Sequence, residues 1–534
     1  MLNIMKKLSL LLLSMMSVFF LSAQTPGTLD LSFGNNGITL TDIGGVGNGC
    51  HSSAVQADGK IVLGGYAYDG SSDNFSFIRY LPNGTLDNTF GSGGIMTVVF
   101  GGSGDELRDI AIQADGKIVA VGYTDSGGSS SKMVLMRLNT DGSLDNTFSI
   151  DGTVIIEFGS GTDSYGMSLD LQEDGKIVAA GYLYDMTDDI QSALCRLNPD
   201  GTLDNSFGSN GIIVYDILSK DNFINNVVLQ DEKIIIGGLS YIDGQNVFVT
   251  LTRFHADGLL DMSFGVSGNV EILLPIDTWI LSPQGGMCLD GEGRIIYGCY
   301  IDGIAGEHFA VLRFQQENGY PDNSFGDFGM TVTPIEGNTR VNAVVAQYDE
   351  KIIAGGYQWI DDHGDFTMVR YLEDGTPDIT FGTEGTGVVI TSASSGGTYP
   401  DNRIYSLNMQ ADGKIVAAGT GHSEAGSVDF AVARYHSGLN VSIESQDAIE
   451  DNLFIYPNPI IDQADIRFSL AHPDRVEIEI LNASGMRVHL YPGLNYTEGE
   501  HQLRLNCEEL PAGMYVAKLT IGDKTYSSKI IKSH

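Results

Sequence analysis

The sequence predicts an all-β fold, namely a seven-bladed β-propeller of four-stranded blades followed by a small C-terminal β-sandwich. A phenylalanine recurs seven times at intervals of 56 to 61 residues. Four short apolar runs typical of strands fill each interval, and none of them has a helical period. Four strands in a unit of this length are typical of a propeller blade. The recurring residues are Phe33, Phe90, Phe148, Phe207, Phe264, Phe325 and Phe381.

The four strand candidates are clearest in the second repeat, where they are residues 94–100, 110–113, 117–123 and 133–138. The last two runs are apolar at consecutive positions, as expected for strands buried on both faces. Asp115-Gly116 favours a tight hairpin, because glycine tolerates a positive φ. The N- and C-terminal segments can close the ring by pairing within one blade. A β-solenoid is the rival fold, but its rungs are usually shorter and lack four hairpin-joined strands.

An aspartate and an arginine also recur in every copy, and both are interpreted as structural. The aspartate stands three residues before each recurring phenylalanine and is expected to cap a turn, which the arginine braces. A ligand role is less favoured, since all seven copies carry both residues. The aspartates are Asp30, Asp87, Asp145, Asp204, Asp261, Asp322 and Asp378. The arginines are Arg79, Arg137, Arg196, Arg253, Arg313, Arg370 and Arg434.

Residues 27–438 resemble the delta-60 repeat, a bacterial family with Asp-Gly-Lys-Ile and Leu-Asp-x-x-Phe-Gly signatures. The first signature begins at Asp58, Asp115, Asp174 and Asp412. The third copy departs from the second signature at Ser149, and the fourth and sixth copies carry Asp-Glu in place of Asp-Gly. The resemblance implies a propeller-like secreted or surface protein and brings no shared activity with it.

The C-terminal residues resemble the type A sorting domain of the type IX secretion system. The resemblance rests on four motifs in the expected order, which are residues 456–459 (Tyr-Pro-Asn-Pro), 485–488, 510–515 and 529–532. It implies transport by the type IX machinery, removal of the tail in or near the linker, and attachment to the outer cell surface. An ordinary adhesive sandwich domain is the alternative.

The predicted domain plan is a signal peptide at 1–23, the propeller at 24–438, a linker at 439–452 and the sorting domain at 453–534. Two lysines, an apolar run and a small-residue site predict signal cleavage between Ala23 and Gln24. The net charge of −39 argues against nucleic acid or an anionic membrane as a partner. We expect the mature protein to be a monomer outside the cell without a membrane span.

No catalytic, metal or cofactor motif stands out in the sequence, so no catalytic residue, metal or cofactor is predicted. Asp361-Asp362-His363 is a weak metal candidate, and the Asn139–Asp145 turn a weak calcium candidate. The five cysteines lack metal-ligand spacing and are interpreted as structural. Cys299 is expected to occupy the position that Tyr66 and Tyr357 fill in other copies.

The two faces of the predicted propeller differ. The Asp-Gly-Lys and Leu-Asp-x-x-Phe turns share one face, and all the variable connections share the other, where recognition usually occurs. Trp279 and Trp359, with Asp361 and Asp362, are the candidate ligand-binding residues, since aromatic side chains are favoured anchors. The predicted function is a non-enzymatic surface binding or adhesion scaffold for an extracellular glycan or protein. The alternatives are a secreted propeller hydrolase or lyase acting on polysaccharide, and a structural surface-layer component.

Overall fold

The structure is a computed structural model of the 534-residue chain. The predicted signal peptide and residues 440–452 of the predicted linker lie outside the residues it describes. Those residues are 24–44, 47–102, 104–125, 130–185, 189–217, 221–242, 246–274, 285–303, 306–394, 400–423, 427–439, 453–456, 463–470, 472–482, 487–507, 510, 513–521 and 524–532.

Twenty-eight strands, which we number in chain order, build the first domain. The first half are β1 (Ile38–Thr41), β2 (Asn48–Val55), β3 (Ile61–Tyr68), β4 (Asp73–Tyr80), β5 (Ile95–Val98), β6 (Glu106–Ile112), β7 (Ile118–Thr124), β8 (Lys132–Leu138), β9 (Thr153–Ile155), β10 (Asp163–Leu171), β11 (Ile177–Tyr184), β12 (Ile190–Leu197), β13 (Ile212–Tyr215) and β14 (Asp221–Gln230). The second half are β15 (Lys233–Ile242), β16 (Asn246–Phe254), β17 (Asn269–Leu273), β18 (Gly286–Leu289), β19 (Ile295–Gly303), β20 (Gly306–Phe314), β21 (Met330–Thr333), β22 (Asn338–Ala346), β23 (Ile352–Ile360), β24 (His363–Tyr371), β25 (Val388–Thr391), β26 (Arg403–Met409), β27 (Ile415–His422) and β28 (Val428–Tyr435).

These strands form seven four-stranded antiparallel sheets, the blades of a seven-bladed propeller, as predicted. Blades 1 to 6 each take four consecutive strands, from β2–β5 for blade 1 to β22–β25 for blade 6. Blade 7 takes β26, β27 and β28, and its fourth strand is β1, with Ile38 opposite Ala433. The N-terminal and C-terminal segments of the propeller therefore close the ring within one blade.

The short strand of each repeat belongs to the preceding blade. β5 pairs with β4, with Phe75 opposite Val98, so it is the fourth strand of blade 1 and not the first strand of blade 2. Along the chain, this strand lies between the last long strand of one repeat and the first long strand of the next. Only the observed pairing shows which of the two sheets it joins. The predicted division of the turns between two faces is unchanged by this shift.

The hydrophobic core lies between neighbouring blades. Phe75 and Phe77 of blade 1 pack with Leu107, Ile118 and Val134 of blade 2 in one buried cluster. Blades 7 and 1 share a similar cluster, which joins the two ends of the propeller chain. Each middle strand is covered on both faces, which explains the consecutive apolar residues in the sequence.

The second strand of a blade needs a glycine where the first strand bulges against it. At Gly356, a Cβ atom would lie 1.8 Å from the carbonyl oxygen of Arg340. Cys299 takes this glycine position in blade 5, and Tyr300 takes the tyrosine position, since Tyr300 pairs with Phe309 as Tyr357 pairs with Phe366. The prediction that Cys299 replaces a tyrosine is therefore wrong by one residue.

The C-terminal residues form two sheets that share one core, as predicted for a small sandwich. One sheet contains β29, β30 and β33, and the other contains β32, β31, β34 and β35. Within the described residues, no helix is long and apolar enough to cross a membrane. The strands are β29 (Leu453–Tyr456), β30 (Gln463–Leu470), β31 (Asp474–Asn482), β32 (Arg487–Tyr496), β33 (Gly499–Asn506), β34 (Gly513–Ile521) and β35 (Lys524–Lys532).

Candidate functional site

The face that carries the Asp-Gly-Lys turns, called the uniform face, repeats one structural device. In blade 2, Asp145 Oδ2 accepts hydrogen bonds from Arg137 Nε at 2.6 Å and from Lys117 Nζ at 2.9 Å. Its Oδ1 accepts from the backbone N and hydroxyl of Thr147 at 3.0 and 2.7 Å. Burial alone would raise the pKa of Asp145, but the hydrogen bonds from Thr147 and Lys117 hold it well below its usual range.

The same device links each blade to the next. The Arg137 guanidinium lies 4.8 Å from the ring centroid of Phe148 and donates from Nη1 to the carbonyl of Pro199 in blade 3 at 2.6 Å. In blade 7, Arg434 pairs with Asp30 and donates to the carbonyl of Pro82 in blade 1. The recurring aspartate and arginine therefore brace the ring, which supports the structural interpretation made from the sequence.

The axial channel is different, because it is lined by side chains that change from blade to blade. The first strand of a blade is innermost. In the described residues, its register with the second strand is interrupted by a β-bulge in every blade except blade 5, whose first strand is described only from Gly286. The bulged residues border a pocket of about 330 Å³ in the channel, together with Gly285 of blade 5. They are His51, Arg108, Met167, Asn225, Asn342 and Tyr405.

Sequence reasoning misses this ring of residues. In the sequence, each of these residues stands eight or nine positions before the lysine or arginine of an Asp-Gly-Lys turn. The repeat is regular around this position, but the residue type at the position changes between copies. Bulges bend a strand and redirect a side chain, and they are over-represented beside functional sites. Residues that break the sevenfold pattern are those expected to contact a ligand on the axis.

The acidic residues of the channel wall hold blades together. Asp109 accepts hydrogen bonds from the Ser52 hydroxyl of blade 1 at 2.8 Å and from the Ser168 hydroxyl of blade 3 at 3.0 Å. Asp170 accepts from the backbone N of Leu229 in blade 4 at 2.9 Å. Burial raises the pKa of Asp109, and it raises the pKa of Asp170 to about 6. Both carboxylates are occupied by neighbouring blades.

The opposite face, which carries the variable connections, is called the variable face. At that end of the channel, called the mouth, aromatic rings of blades 2 to 4 line one side. The rings of Tyr123 and Tyr165 meet edge to face at 4.8 Å, and Tyr165 stacks on Tyr182 at 5.1 Å. Phe223 continues the arc at 5.2 Å from Tyr182 and 5.5 Å from Tyr241. All but Tyr241 are partly exposed, so this side of the mouth offers a continuous aromatic surface.

On blades 6 and 7, arginines cover the aromatic rings. Arg340 lies 4.4 Å from the ring centroid of Tyr300 and makes two hydrogen bonds of 2.6 Å to the carboxylate of Glu307. Arg403 lies 4.7 Å from the centroid of Tyr357 and 5.7 Å from that of Trp359. Arg403 also donates hydrogen bonds of 2.5 and 2.7 Å to the carboxylate of Asp401. Each guanidinium is therefore paired and stacked, which fixes its orientation.

A histidine, a glutamate and an arginine meet between blades 1 and 2. Arg108 Nη2 lies 2.6 Å from Glu106 Oε2, and His51 Nε2 lies 3.7 Å from the same oxygen. Burial would raise the pKa of Glu106, but the Arg108 charge and the neighbouring His51 side chain lower it to about 2. Burial and the charge of Arg108 lower the pKa of His51, which favours a neutral imidazole.

The predicted ligand-binding residues fall in different places. The sequence pattern predicts a variable loop at residues 358–365 that contains Trp359. Trp359 lies instead in β23, because β23 and β24 are joined by the two-residue turn Asp361-Asp362. Both aspartates have positive φ, 46° and 64°, as this type of hairpin turn requires. Trp359 is partly exposed and both aspartates are exposed. Trp279 lies outside the described residues, and so does Ala23, whereas Gln24 is the first residue described.

The candidate metal cluster at Asp361, Asp362 and His363 is explained by the turn. The ring nitrogen Nδ1 of His363 lies 2.7 Å from the backbone oxygen of Asp361, so the histidine is held within the hairpin itself. Over the described part of the chain, no group of three histidine, cysteine, aspartate or glutamate side chains is placed to hold a metal ion.

Six segments of the propeller match the family described as "Domain of unknown function (DUF5122) beta-propeller". The chain carries DUF5122 beta-propeller repeats. Residues 454–533 match the "Secretion system C-terminal sorting domain", so the protein is exported by type IX secretion to the outer cell surface or beyond. The predicted repeat family and sorting domain are thus confirmed. The six DUF5122 segments are 56–90, 113–148, 172–207, 229–264, 347–381 and 410–440.

No curated protein matches the chain. Solved structures that resemble it include a catalytically inactive virginiamycin B lyase from Staphylococcus aureus with quinupristin, at 13% identity and TM-score 0.41, covering 74% of this chain and 98% of that one. The polysaccharide lyase Uly1 has 11% identity and TM-score 0.41, covering 77% and 92%. A protein of unknown function from Dyadobacter fermentans has 10% identity and TM-score 0.38, covering 75% and 99%.

Proposed function

We propose that this protein is a non-enzymatic binding scaffold at the outer cell surface, which holds its ligand on the variable face. The contrast between the two ends of the channel carries the proposal. The uniform face repeats one brace whose contacts the fold itself explains. The variable-face mouth has aromatic rings on one side and arginine–carboxylate pairs on the other. Its second-strand tyrosines recur in five blades, but the first-strand residues at the same level change from blade to blade. Those first-strand residues are Tyr165, Phe223, Arg340 and Arg403.

The basic residues support this assignment. Only five of the 19 lysines and arginines in residues 24–438 lie outside the recurring turn and brace positions. Three of those five, Arg108, Arg340 and Arg403, lie at the channel or its mouth and stack on aromatic rings. A strongly acidic protein thus places its few independent cations where a ligand would meet them. Arginine and aromatic residues are the side chains most enriched at binding hot spots.

The test begins with glycan and protein arrays, with and without calcium, probed with the exported protein. The Trp359→Ala variant should lose at least about tenfold in affinity for the retained ligand, as expected for an aromatic hot spot. Because Trp359 is only partly buried, the melting temperature of the variant should differ little from that of the wild type. Trp279→Ala should behave in the same way if that residue shares the site.

Tyr320→Ala is the matched control, since Tyr320 is an exposed aromatic residue in a turn of the uniform face. It should bind as the wild type does. Near-native binding by the Trp359→Ala, Trp279→Ala double variant would overturn the proposal, as would a large fall in its melting temperature. Shortening of a supplied polysaccharide would replace the proposal with the hydrolase or lyase alternative.

A further inference from the structure

Three residues that border the channel pocket each carry a buried polar atom without a partner in the described propeller. Asn342 is only 8% exposed, and its Nδ2 donates to the carbonyl of Ile404 in blade 7 at 2.7 Å. Its Oδ1 has no hydrogen-bond partner among the described residues, and the same holds for Arg108 Nε and for His51 Nε2. All three residues border the 330 Å³ pocket.

Buried polar atoms are nearly always hydrogen-bonded, and an unsatisfied one is costly. Two of the three atoms define the ligand: it must donate to Asn342 Oδ1 and accept from Arg108 Nε. A hydroxyl group does both. The third atom, His51 Nε2, donates or accepts according to the tautomer of the ring. No net charge is called for, because Glu106 already compensates Arg108 at 2.6 Å. The complementary ligand is therefore neutral and rich in hydroxyl groups.

The shape of the site restricts the ligand further. First strands from all seven blades surround the pocket, so a polymer can enter it only end first, along the axis. A volume of about 330 Å³ is at the lower limit of small-molecule sites. Met167, Met287 and Leu407 give the wall apolar patches against which the C–H face of a sugar ring can pack.

We infer that the channel pocket binds one terminal neutral sugar ring of a glycan chain, whose following units lie on the exposed aromatic rings from Tyr123 to Phe223. This inference rests on the proposed function and names the ligand class and the site. It makes recognition depend on the chain end, whereas an open groove would accept internal units as well.

Asn342→Ala and Asn408→Ala form a matched pair. Asn408 also lies on a first strand and donates from Nδ2 to a carbonyl of the next blade, that of Ser53, at 2.8 Å. Of the two asparagines, Asn342 alone borders the pocket. Both variants should lose similar amounts of thermal stability. Asn342→Ala should also bind glycan about tenfold more weakly, the effect of one lost hydrogen bond, while Asn408→Ala should retain wild-type affinity.

The probes are methyl pyranosides of neutral hexoses, 6-deoxyhexoses and N-acetylhexosamines, with methyl glucuronide as the charged comparison. Saturation-transfer NMR should show that the exported protein contacts at least one neutral probe, and that this probe displaces an array glycan ending in the same sugar. Equal affinities of the two asparagine variants would overturn the inference. The inference would also be overturned if no methyl glycoside displaced the retained glycan and only Trp359→Ala lost binding. The proposed function would survive that result. If neither glycans nor proteins are retained on the arrays, both the inference and the proposed function fail.

Discussion

At the scale of single residues, backbone conformation decides what can stand in the turns of the uniform face. Gly116 of blade 2 has φ 84°, a left-handed conformation that glycine adopts without strain. Glu350 occupies the equivalent position in blade 6 at φ 64°. The Asp-Glu departure in that repeat thus has the same turn geometry, with a residue that is less suited to it.

The exchange of residues at this position should have opposite effects in the two blades. Gly116→Ala should lower the free energy of unfolding by about 1 kcal/mol, since alanine is strained at positive φ. Glu350→Gly should raise it by a few tenths to about 1 kcal/mol, because relief of strain outweighs the entropy of glycine. Urea unfolding with an unchanged m value measures both. A loss of stability in Glu350→Gly would show that its ion pair with Arg294, at 3.6 Å, matters more than strain.

The recurring aspartate contributes more than its turn suggests. From the sequence, loss of Asp145 is expected to cost on the order of 1 kcal/mol through the turn alone. The structure shows Asp145 3% exposed and bound to Arg137, which is 6% exposed. Removing one partner of a buried pair leaves the other charge unpaired, which typically costs about 3 to 5 kcal/mol.

We therefore expect Asp145→Ala to lower the free energy of unfolding by about 3 kcal/mol, because Arg137 and Lys117 lose the carboxylate that they share and Arg137 is largely shielded from solvent. The Asp145→Ala, Arg137→Met double variant should recover part of this loss, since neither charge then remains buried. A double-mutant cycle by chemical denaturation measures the coupling. If Asp145→Ala lowers the free energy of unfolding by only about 1 kcal/mol, the aspartate does no more than stabilise its turn.

At the scale of elements, the sequence predicts what is local and misses what depends on pairing. Four strands per repeat, the Asp-Gly hairpins and the fully buried middle strands all follow from short-range patterns. The membership of β5 in blade 1 does not, because β5 has strand neighbours on both sides along the chain. The bulge at Asn342 is also invisible locally, since it exists only where β22 and β23 change register.

The candidate site shows the same limit. Residue type alone selects Trp359 in the sequence, and it does lie near the mouth, but its contact with Arg403 of the next blade cannot be read from spacing. The channel residues escape notice in the sequence because each looks ordinary in its own copy. Comparing one position across the seven copies reveals them, and the propeller brings that position onto a common axis.

At the scale of the whole molecule, the chain ends of the propeller are built into the ring. β1 is the fourth strand of blade 7, and the backbone oxygen of Ser437 accepts a hydrogen bond from Arg370 of blade 6. Removal of the sorting domain therefore has to spare Ser437 if the ring is to stay intact. We expect processing of the tail within residues 440–452.

Mass spectrometry of surface-released protein tests this expectation. The mature chain should begin near Gln24 and end after Ser437, since both ends of the propeller are then preserved. Intracellular precursor from the same cells is the control and should retain the tail. Surface molecules that mostly retain Lys532 would contradict the processing, although not the fold.

The loss of stability at acidic pH should come from the seven recurring aspartates, each of which is paired with an arginine. Hydrogen bonds and ion pairs hold their pKa below the unfolded value of about 3.9. The unfolded chain thus binds protons more readily than the folded chain, and stability is lost as pH falls below about 4. Thermal unfolding at decreasing pH should show a steep fall there, and a flat profile would contradict the brace.

Between about pH 5 and 7, stability should change with pH in the opposite direction. Burial raises the pKa of Asp170 to about 6, above the unfolded value of about 3.9, so the folded chain binds this proton first and stability rises as pH falls from about 7 towards 5. His51 and His436 oppose this, since burial lowers their pKa. Five further carboxyl groups with raised pKa act in the same direction as Asp170. We therefore expect the melting temperature to be highest between about pH 4 and 6, with a smaller rise from about pH 7 to 5 in Asp170→Asn. A maximum above about pH 7 would show that the histidines prevail. The six carboxyl groups are those of Asp73, Asp105, Asp109, Asp170, Glu350 and Asp429.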